Sequence, residues 1–298
     1  MRVLLLGKDG QVGTALQRAL PPLGDIVALS RAEADFDRPG RLAELVALHR
    51  PDIIVNAAAY TAVDKAESEP ERARRINTEA VAELGVAAKA LGAWVIHYST
   101  DYVFDGTKPA PYLETDLTNP LGVYGDSKRD GELALAASGA RHLIFRTGWV
   151  HAPGGVNFIA KILALAAERD TFSVIDDQIG APTGARLIAE TTAAAIVAMA
   201  AERPPATGLY HLTASGATSW HGFASFIVGE AEARGRRLRT RRDAIAAVAS
   251  SAFQQAARRP QNSQLATDKL RKALGVELAD WRVGVRETLD ALLPEVAR

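Results

Sequence analysis

Short apolar runs alternate with helical spacing through the first half of the chain. Residues 3–6, 26–29, 53–55, 94–98 and 142–146 are apolar stretches rich in β-branched and aromatic residues. Between the third and fourth of them Ala73, Ile76, Ala80, Leu84, Ala87 and Leu91 recur at the period of a helix. Strands buried on both faces read as unbroken apolar runs, and strand–helix alternation gives a parallel sheet with right-handed crossovers. The pattern predicts an α/β fold: a Rossmann-type doubly wound parallel sheet.

Beyond Trp149 the rhythm changes. Helices are predicted over 157–168, 184–201 and 219–234, strands over Phe172–Ile175 and 209–212, and two short helices at the end. The expected organisation is a cofactor-binding Rossmann domain over 1–148 and a mainly substrate-binding lobe over 149–298. Helix 184–201 and strand 209–212 are expected to return to the first domain. The basic stretch carrying Arg234, Arg236, Arg237, Arg239, Arg241 and Arg242 reads as a solvated helix end and turn.

Composition narrows the partners. The 298 residues hold 35 Lys+Arg against 35 Asp+Glu, so there is no net-charge footprint for nucleic acid or an anionic membrane. Cysteine is absent, which excludes disulfides, thiolate metal centres and thiol nucleophiles and fits a reducing compartment. The first apolar run stops at Gly7, too short for a secretory core, and the apolar segment 191–201 falls far short of the roughly 20 residues that span a bilayer. A cytoplasmic protein is expected.

The candidate chemistry begins at Gly7, Gly10 and Gly13, a G-x-x-G-x-x-G loop between the first strand and the first helix. Such glycines permit a tight turn, close approach of backbone to a pyrophosphate and close helix–strand packing, with the phosphates on the helix N-terminus. Gln11 and Val12 lie inside that loop. Ser30 and Arg31 follow the second strand, where an acid would select NAD and a cation suits the 2′-phosphate of NADP. NADPH is therefore expected, NADH remaining open through Glu33. Asp35 and Phe36 are placed to reach the adenine, and the small residues of Ala58-Ala59-Tyr60-Thr61 to lie against a flat ligand. Asp35 is equally readable as a turn residue.

Ser99-Thr100-Asp101 ends the fourth strand, and Tyr124 and Lys128 follow with the Y-x-x-x-K spacing that puts both on one helical face. A lysine ammonium and the positive nicotinamide beside a tyrosine stabilise the phenolate, so a lowered tyrosine pKa is expected, and Thr100 offers a hydroxyl to a carbonyl oxygen.

In these motifs the chain resembles the extended short-chain dehydrogenases/reductases. Within them it is similar to a branch marked by Gly10–Gly13, by residues 50–59, 61–67, 97–104 and 145–150, by Gly180-Ala181-Pro182-Thr183-Gly184 and by Ala257-Arg258-Arg259-Pro260. The resemblance implies Thr100, Tyr124 and Lys128 as the catalytic set, Asp101 and Trp149 at the sugar, and Tyr98 in the cofactor wall. The implied reaction is NADPH-dependent reduction of the C4 ketone of dTDP-4-dehydro-β-L-rhamnose, a dTDP-4-keto-6-deoxy sugar. Another nucleotide-sugar epimerase or dehydratase, or a non-catalytic regulatory homologue, stands as the alternative. Some members of the branch form a magnesium-bridged dimer through two glutamates. Ala15 and Arg186 occupy those positions here, so no metal is expected, and a monomer or metal-independent homodimer is.

Overall fold

The computed structural model describes residues 1–155 and 157–293. β1 (Arg2–Leu6) leads into α1 (Gln11–Ala19), followed by β2 (Asp25–Leu29), α2 (Arg41–His49) and β3 (Ile53–Asn56). Two short helices, α3 (Val63–Ala66) and α4 (Pro70–Arg74), precede a π-helical stretch over Arg75–Glu79 that continues as α5 (Ala80–Leu91). β4 (Trp94–Thr100), α6 (Val123–Ala137) and β5 (Arg141–Thr147) complete the regular half. Then come β6 (Val150–His151), α7 (Phe158–Glu168), β7 (Phe172–Ile175), β8 (Ile179–Gly180), β9 (Thr183–Gly184) and α8 (Ala185–Ala200). The chain ends with β10 (Gly208–His211), β11 (Thr218–Ser219), α9 (Trp220–Ala233), β12 (Ile245–Val248), α10 (Asp268–Leu274) and α11 (Trp281–Leu292).

Six strands form the central sheet in the order β10-β5-β4-β3-β1-β2, every neighbouring pair parallel. The order reverses between β1 and β3, and ligands bind at the carboxyl ends of strands at such a switch point. On one face Leu4, Leu6, Ile54 and Val95 pack with Leu42, Val46, Val81 and Leu84 of α2 and α5. On the other, Leu5, Val55, Ile96 and Phe145 pack with Leu16, Ile188 and Ile196 of α1 and α8. Alternate residues of one strand thus enter two apolar layers, which is why the strands read as continuous runs. Each fully buried aliphatic or aromatic side chain contributes about 1.5–3 kcal/mol.

The predicted helix and strand over 184–201 and 209–212 appear as α8 and β10, shifted by a residue or less. β10 joins the sheet beside β5. The expected helix through 73–91 contains one irregularity, the π stretch. There Asn77 turns inward: its Oδ1 accepts from Tyr60 N (2.9 Å), and its Nδ2 donates to Tyr60 O and Ser127 Oγ (both 3.0 Å). The wider π turn admits a polar side chain that ties the loop after β3 to α6. A third apolar cluster, with Phe223, Ile227 and Trp281 at its centre, holds α7, α9 and α11 together away from the sheet. Within the basic stretch Arg234 pairs with Glu230 and Asp290, Arg239 with Asp170, and Arg241 with Asp243.

Candidate active site

The loop after β1 meets the loop after β3 at the switch point. Gly7 has φ +81°, and a Cβ there would stand 2.7 Å from the backbone nitrogen of Ala58. A Cβ on Gly13 would stand 2.0 Å from Gly7 O, so α1 is seated directly on the turn. α1 begins after Gly10 with no side-chain cap, and its first intrahelical bond runs from Thr14 N to Gly10 O. The N–H groups of Gln11, Val12 and Gly13 therefore point out of the helix end, a cradle suited to a pyrophosphate. Gln11 Oε1 is buried without a partner beside it.

At the end of β2 the charges are already sorted. Glu33 accepts from Lys8 Nζ and from Ser30 N (both 2.8 Å), and Lys8 holds its carboxyl down at about 2. The acid that could have taken a ribose hydroxyl is thus occupied. Arg31 is largely exposed and touches Asp37 at 3.1 Å, but Asp37 is met at both oxygens by Arg72 (3.1 and 2.8 Å). Arg31 is therefore only loosely tied down. Asp35 Oδ1 accepts from Asp37 N, a turn bond, and Phe36 is buried in the core.

Two of the expected cofactor-wall side chains point elsewhere. The Tyr98 phenol lies on the opposite face of the sheet against Thr192 Oγ1 (2.7 Å), and the Tyr60 phenol donates to Glu69 (2.9 Å). Both side chains are consumed in packing, because strand alternation and the Asn77 clamp fix their direction. What these residues leave to a ligand is backbone. Ala58, Ala59 and Thr61 lie with Tyr60 in the irregular segment after β3.

β4 delivers Thr100 to the carboxyl edge of the sheet, and α6 brings Tyr124 and Lys128 beneath it. Glu67 steadies the start of α6 by accepting from Val123 N (2.9 Å). The Thr100 hydroxyl contacts the Tyr124 phenol and donates to Asp101 Oδ1 (3.0 Å). The lysine does not bring about its part of the expected lowering: burial pushes the Tyr124 phenol up to about 12, and the Asp101 carboxylate adds to the rise. Lys128 is not among the groups that lower it, and its side-chain nitrogen is engaged elsewhere. Fully buried, it donates to Tyr98 O (2.7 Å) and lies 3.2 Å from His97 Nε2.

Asp101 is buried, and burial raises its carboxyl to about 7 despite hydrogen bonds from Ser263 and Thr100. A Cβ on Gly148 would come within 2.3 Å of its Oδ2, so the glycine before Trp149 is what makes room for the acid. Trp149 adopts φ +50°, a conformation bulky residues rarely hold, and stacks on Trp220 with centroids 3.5 Å apart. Its ring is thus half of an aromatic stack, with Gly180 close beneath it.

Several contributors carried no local signal. Asp64 and Arg259, 195 residues apart, form an ion pair at 2.7 Å that ties α3 to the second half of the chain. Arg258 next to it lines a narrow cleft with Val63, Glu67, Tyr102 and Tyr124. Runs 61–67 and 257–260 pointed to their own branch but not to each other. The buried Glu132–Arg146 pair (2.8 and 2.6 Å) beneath Lys128 was equally unmarked.

The family's metal positions do not fit a carboxylate site. Ala15 packs at the contact of α1 with the apolar layer, and Arg186 pairs with Glu190 (2.7 Å) and Glu287 (3.4 Å). Among the described residues no group of three His, Asp or Glu stands close enough to hold a metal.

A switch-point glycine cradle with a Thr, a Tyr and a Lys gathered at the ends of the middle strands defines the class: a dinucleotide-binding oxidoreductase fold of the short-chain type. UDP-glucose 4-epimerase from Thermus thermophilus shares that fold at TM-score 0.74 and 19% identity. The chain matches the RmlD substrate binding domain over residues 1–293 and belongs to that family, the family of the dTDP-4-dehydrorhamnose reductases. It is 51% identical over 301 residues, 100% of both chains, to dTDP-4-dehydrorhamnose reductase from Escherichia coli K12, and 50% identical over the same span to that of Shigella flexneri. The crystal structure of dTDP-4-dehydrorhamnose reductase from Bacillus anthracis in complex with NADP is similar at TM-score 0.88 and 31% identity, covering 97% of this chain and 98% of that one.

Proposed function

We propose that this protein reduces the C4 ketone of dTDP-4-dehydro-β-L-rhamnose to dTDP-β-L-rhamnose with NADPH. The observation that carries the reading is Tyr124, held protonated beside Thr100 at the switch-point edge of the sheet, in a chain half identical to named reductases over its full length. NADPH supplies the hydride. Gly7, Gly10 and Gly13 with the free N–H groups of α1 cradle its pyrophosphate, and Ser30 and Arg31 take the 2′-phosphate. Lys128 offers a hydrogen bond to the nicotinamide ribose.

Reduction produces an alkoxide that needs a proton. Tyr124 is that acid: a phenol kept neutral at working pH is ready to donate, whereas the reverse reaction would call for a phenolate. The ketone oxygen takes the place of Thr100 as the neighbour of the phenol. Thr100, whose hydroxyl also donates to Asp101 Oδ1, holds Tyr124 in place until the ketone arrives. Asp101 and Trp149 line the sugar side. The first 148 residues hold the cofactor, and 149–298, apart from α8 and β10, mainly the substrate. A cytoplasmic monomer or metal-independent homodimer completes the reading; among the described residues no helix is long and apolar enough to cross a membrane.

The test is an assay of purified protein with NADPH and the dTDP-4-keto sugar, followed at the nicotinamide absorbance with the product identified by NMR. A dissociable cosubstrate and the L-rhamnose product are expected. Tightly held NAD surviving purification, with epimerised or dehydrated product, would replace this reading by an epimerase or dehydratase.

A further inference from the structure

Behind Lys128 lies a buried chain of polar groups whose hydrogen-bond directions are fixed at one end. Ala58 N donates to Asn56 Oδ1 (3.1 Å), so the amide of Asn56 cannot be turned over without setting two donors against each other. Its Nδ2 therefore faces His97 Nδ1, at 3.1 Å. An amide NH₂ only donates, so His97 Nδ1 must be the acceptor. His97 is completely buried, and burial together with Lys128 pushes its pKa well below the ordinary value, so the ring is neutral. A neutral imidazole with Nδ1 unprotonated carries its proton on Nε2. That N–H points at Lys128 Nζ, 3.2 Å away.

An ammonium has three donors and no acceptor, so it cannot receive this bond; a neutral amine has one lone pair and can. We propose that His97 is a positioning residue for Lys128, presenting an Nε2–H that favours the neutral amine of the lysine in the cofactor-free protein. The amine then gives one N–H to Tyr98 O and keeps one for a ligand.

Of the other groups around Lys128, Glu132 pulls its pKa up, against burial. Glu132 on its own helix is taken at both oxygens by Arg146 from β5. Asp101, from the turn after β4, is itself pushed toward its neutral form, and Tyr124 is held as a phenol. Asn77, from the π stretch, is neutral and bound to Ser127. Burial lowers the lysine pKa in the same direction as the His97 N–H. To the extent that the amine is neutral in the cofactor-free protein, no cation beside Tyr124 stabilises its phenolate.

The proposal rests on Lys128 belonging to the active site, and two measurements separate the two claims. Long-range ¹H–¹⁵N spectra of histidine-labelled, cofactor-free protein, with His97 assigned by its loss in His97→Phe, should show the Nε2–H tautomer. The Nδ1–H tautomer or a protonated ring would overturn the proposal. The Lys128 ¹⁵Nζ resonance, assigned by Lys128→Met, should titrate about one pH unit higher in His97→Phe than in the parent, a tenfold change in the neutral fraction. Greater apolarity alone would move it down, so an unchanged or lower midpoint also overturns the proposal. Should the phenylalanine variant not fold, Asn56→Asp serves: a carboxylate opposite Nδ1 draws the ring proton there, and the tautomer should reverse. A tautomer that stays at Nε2–H in Asn56→Asp counts against the hydrogen-bond logic. Full turnover by Lys128→Met would sink the catalytic reading of the lysine while leaving the tautomer result standing.

Discussion

The wall of the cleft formed by β1, β3 and α1 and the wall formed by the end of β4 and the second half of the chain differ in what they present. The first presents backbone: Gly7 and Gly13 press main chain against main chain at distances no Cβ would tolerate, and the N–H groups of α1 are left open. The second presents side chains held by one another, with Trp149 stacked on Trp220 and Asp101 enclosed by Thr100, Ser263 and Gly148. A backbone wall recognises what every dinucleotide shares. A side-chain wall can be tuned to one sugar, at the cost of burying polar groups and holding a tryptophan at positive φ. Tyr124, between them, is where the two walls are required to act together.

That junction gives the largest expected effect. Tyr124→Phe keeps the ring and loses the proton, so turnover should fall by roughly 10²–10⁴-fold while NADPH affinity stays near its original value. Steady-state kinetics and a fluorescence titration of the nucleotide check both halves. A variant with near-full turnover would remove Tyr124 as the acid.

Beside the backbone wall, after β2, the side chain proposed to discriminate is Arg31. Arg31→Ala loses a charge-assisted contact with the 2′-phosphate, on the order of 1.5–3 kcal/mol, or roughly ten- to hundredfold in NADPH affinity, and should leave NADH almost untouched. Titrating both nucleotides decides it. Equal losses would return Arg31 to an ordinary surface position and turn attention to Ser30 and Glu33.

The side-chain wall should reveal itself through pH. Burial raises the Asp101 carboxyl to about 7, while in the unfolded chain it titrates near about 4. Below that lower value the group is neutral in both states and costs nothing. As pH climbs toward 7 the unfolded chain gains by ionising and the folded one does not, so stability falls through this window and the full penalty is present above it. Asp101→Asn, neutral throughout, should gain on the parent as pH rises and be the more stable protein by at least about 1 kcal/mol at about pH 8. Urea unfolding at several pH values measures it, and parallel curves for the two proteins would show that Asp101 is solvated and ionised.

The sheet was legible because two apolar layers force unbroken runs on its strands, and the cradle because only glycine fits its turn. Tyr124 and Lys128 were legible because four residues is one turn of helix. Local spacing failed where direction or distance decided. Tyr98 and Tyr60 sit in segments expected to face the cofactor, yet strand alternation and the Asn77 clamp send their phenols away. The rise in the Tyr124 pKa depends on how deeply α6 is buried and on where Lys128 turns, neither of which spacing reports. The Asp64–Arg259 clasp joins residues from opposite ends of the chain, and nothing near either residue announces the other.

The smallest expected effect tests the outer face of α1 and α8. A magnesium bridge needs carboxylates to supply charge and oxygen ligands, with water completing an octahedron. Ala15 supplies neither, and Arg186 brings a cation that already binds Glu190 and Glu287, so the acids nearby are turned toward a guanidinium. Exposed pairs of this kind contribute about 0–1 kcal/mol each, enough to bias side chains but not to hold two subunits together. A chelator should therefore change neither turnover nor the mass seen by light scattering. A dimer that dissociates with EDTA would mean that other carboxylates assemble a metal site across the contact, and that the ion pairs of Arg186 yield when a second subunit arrives.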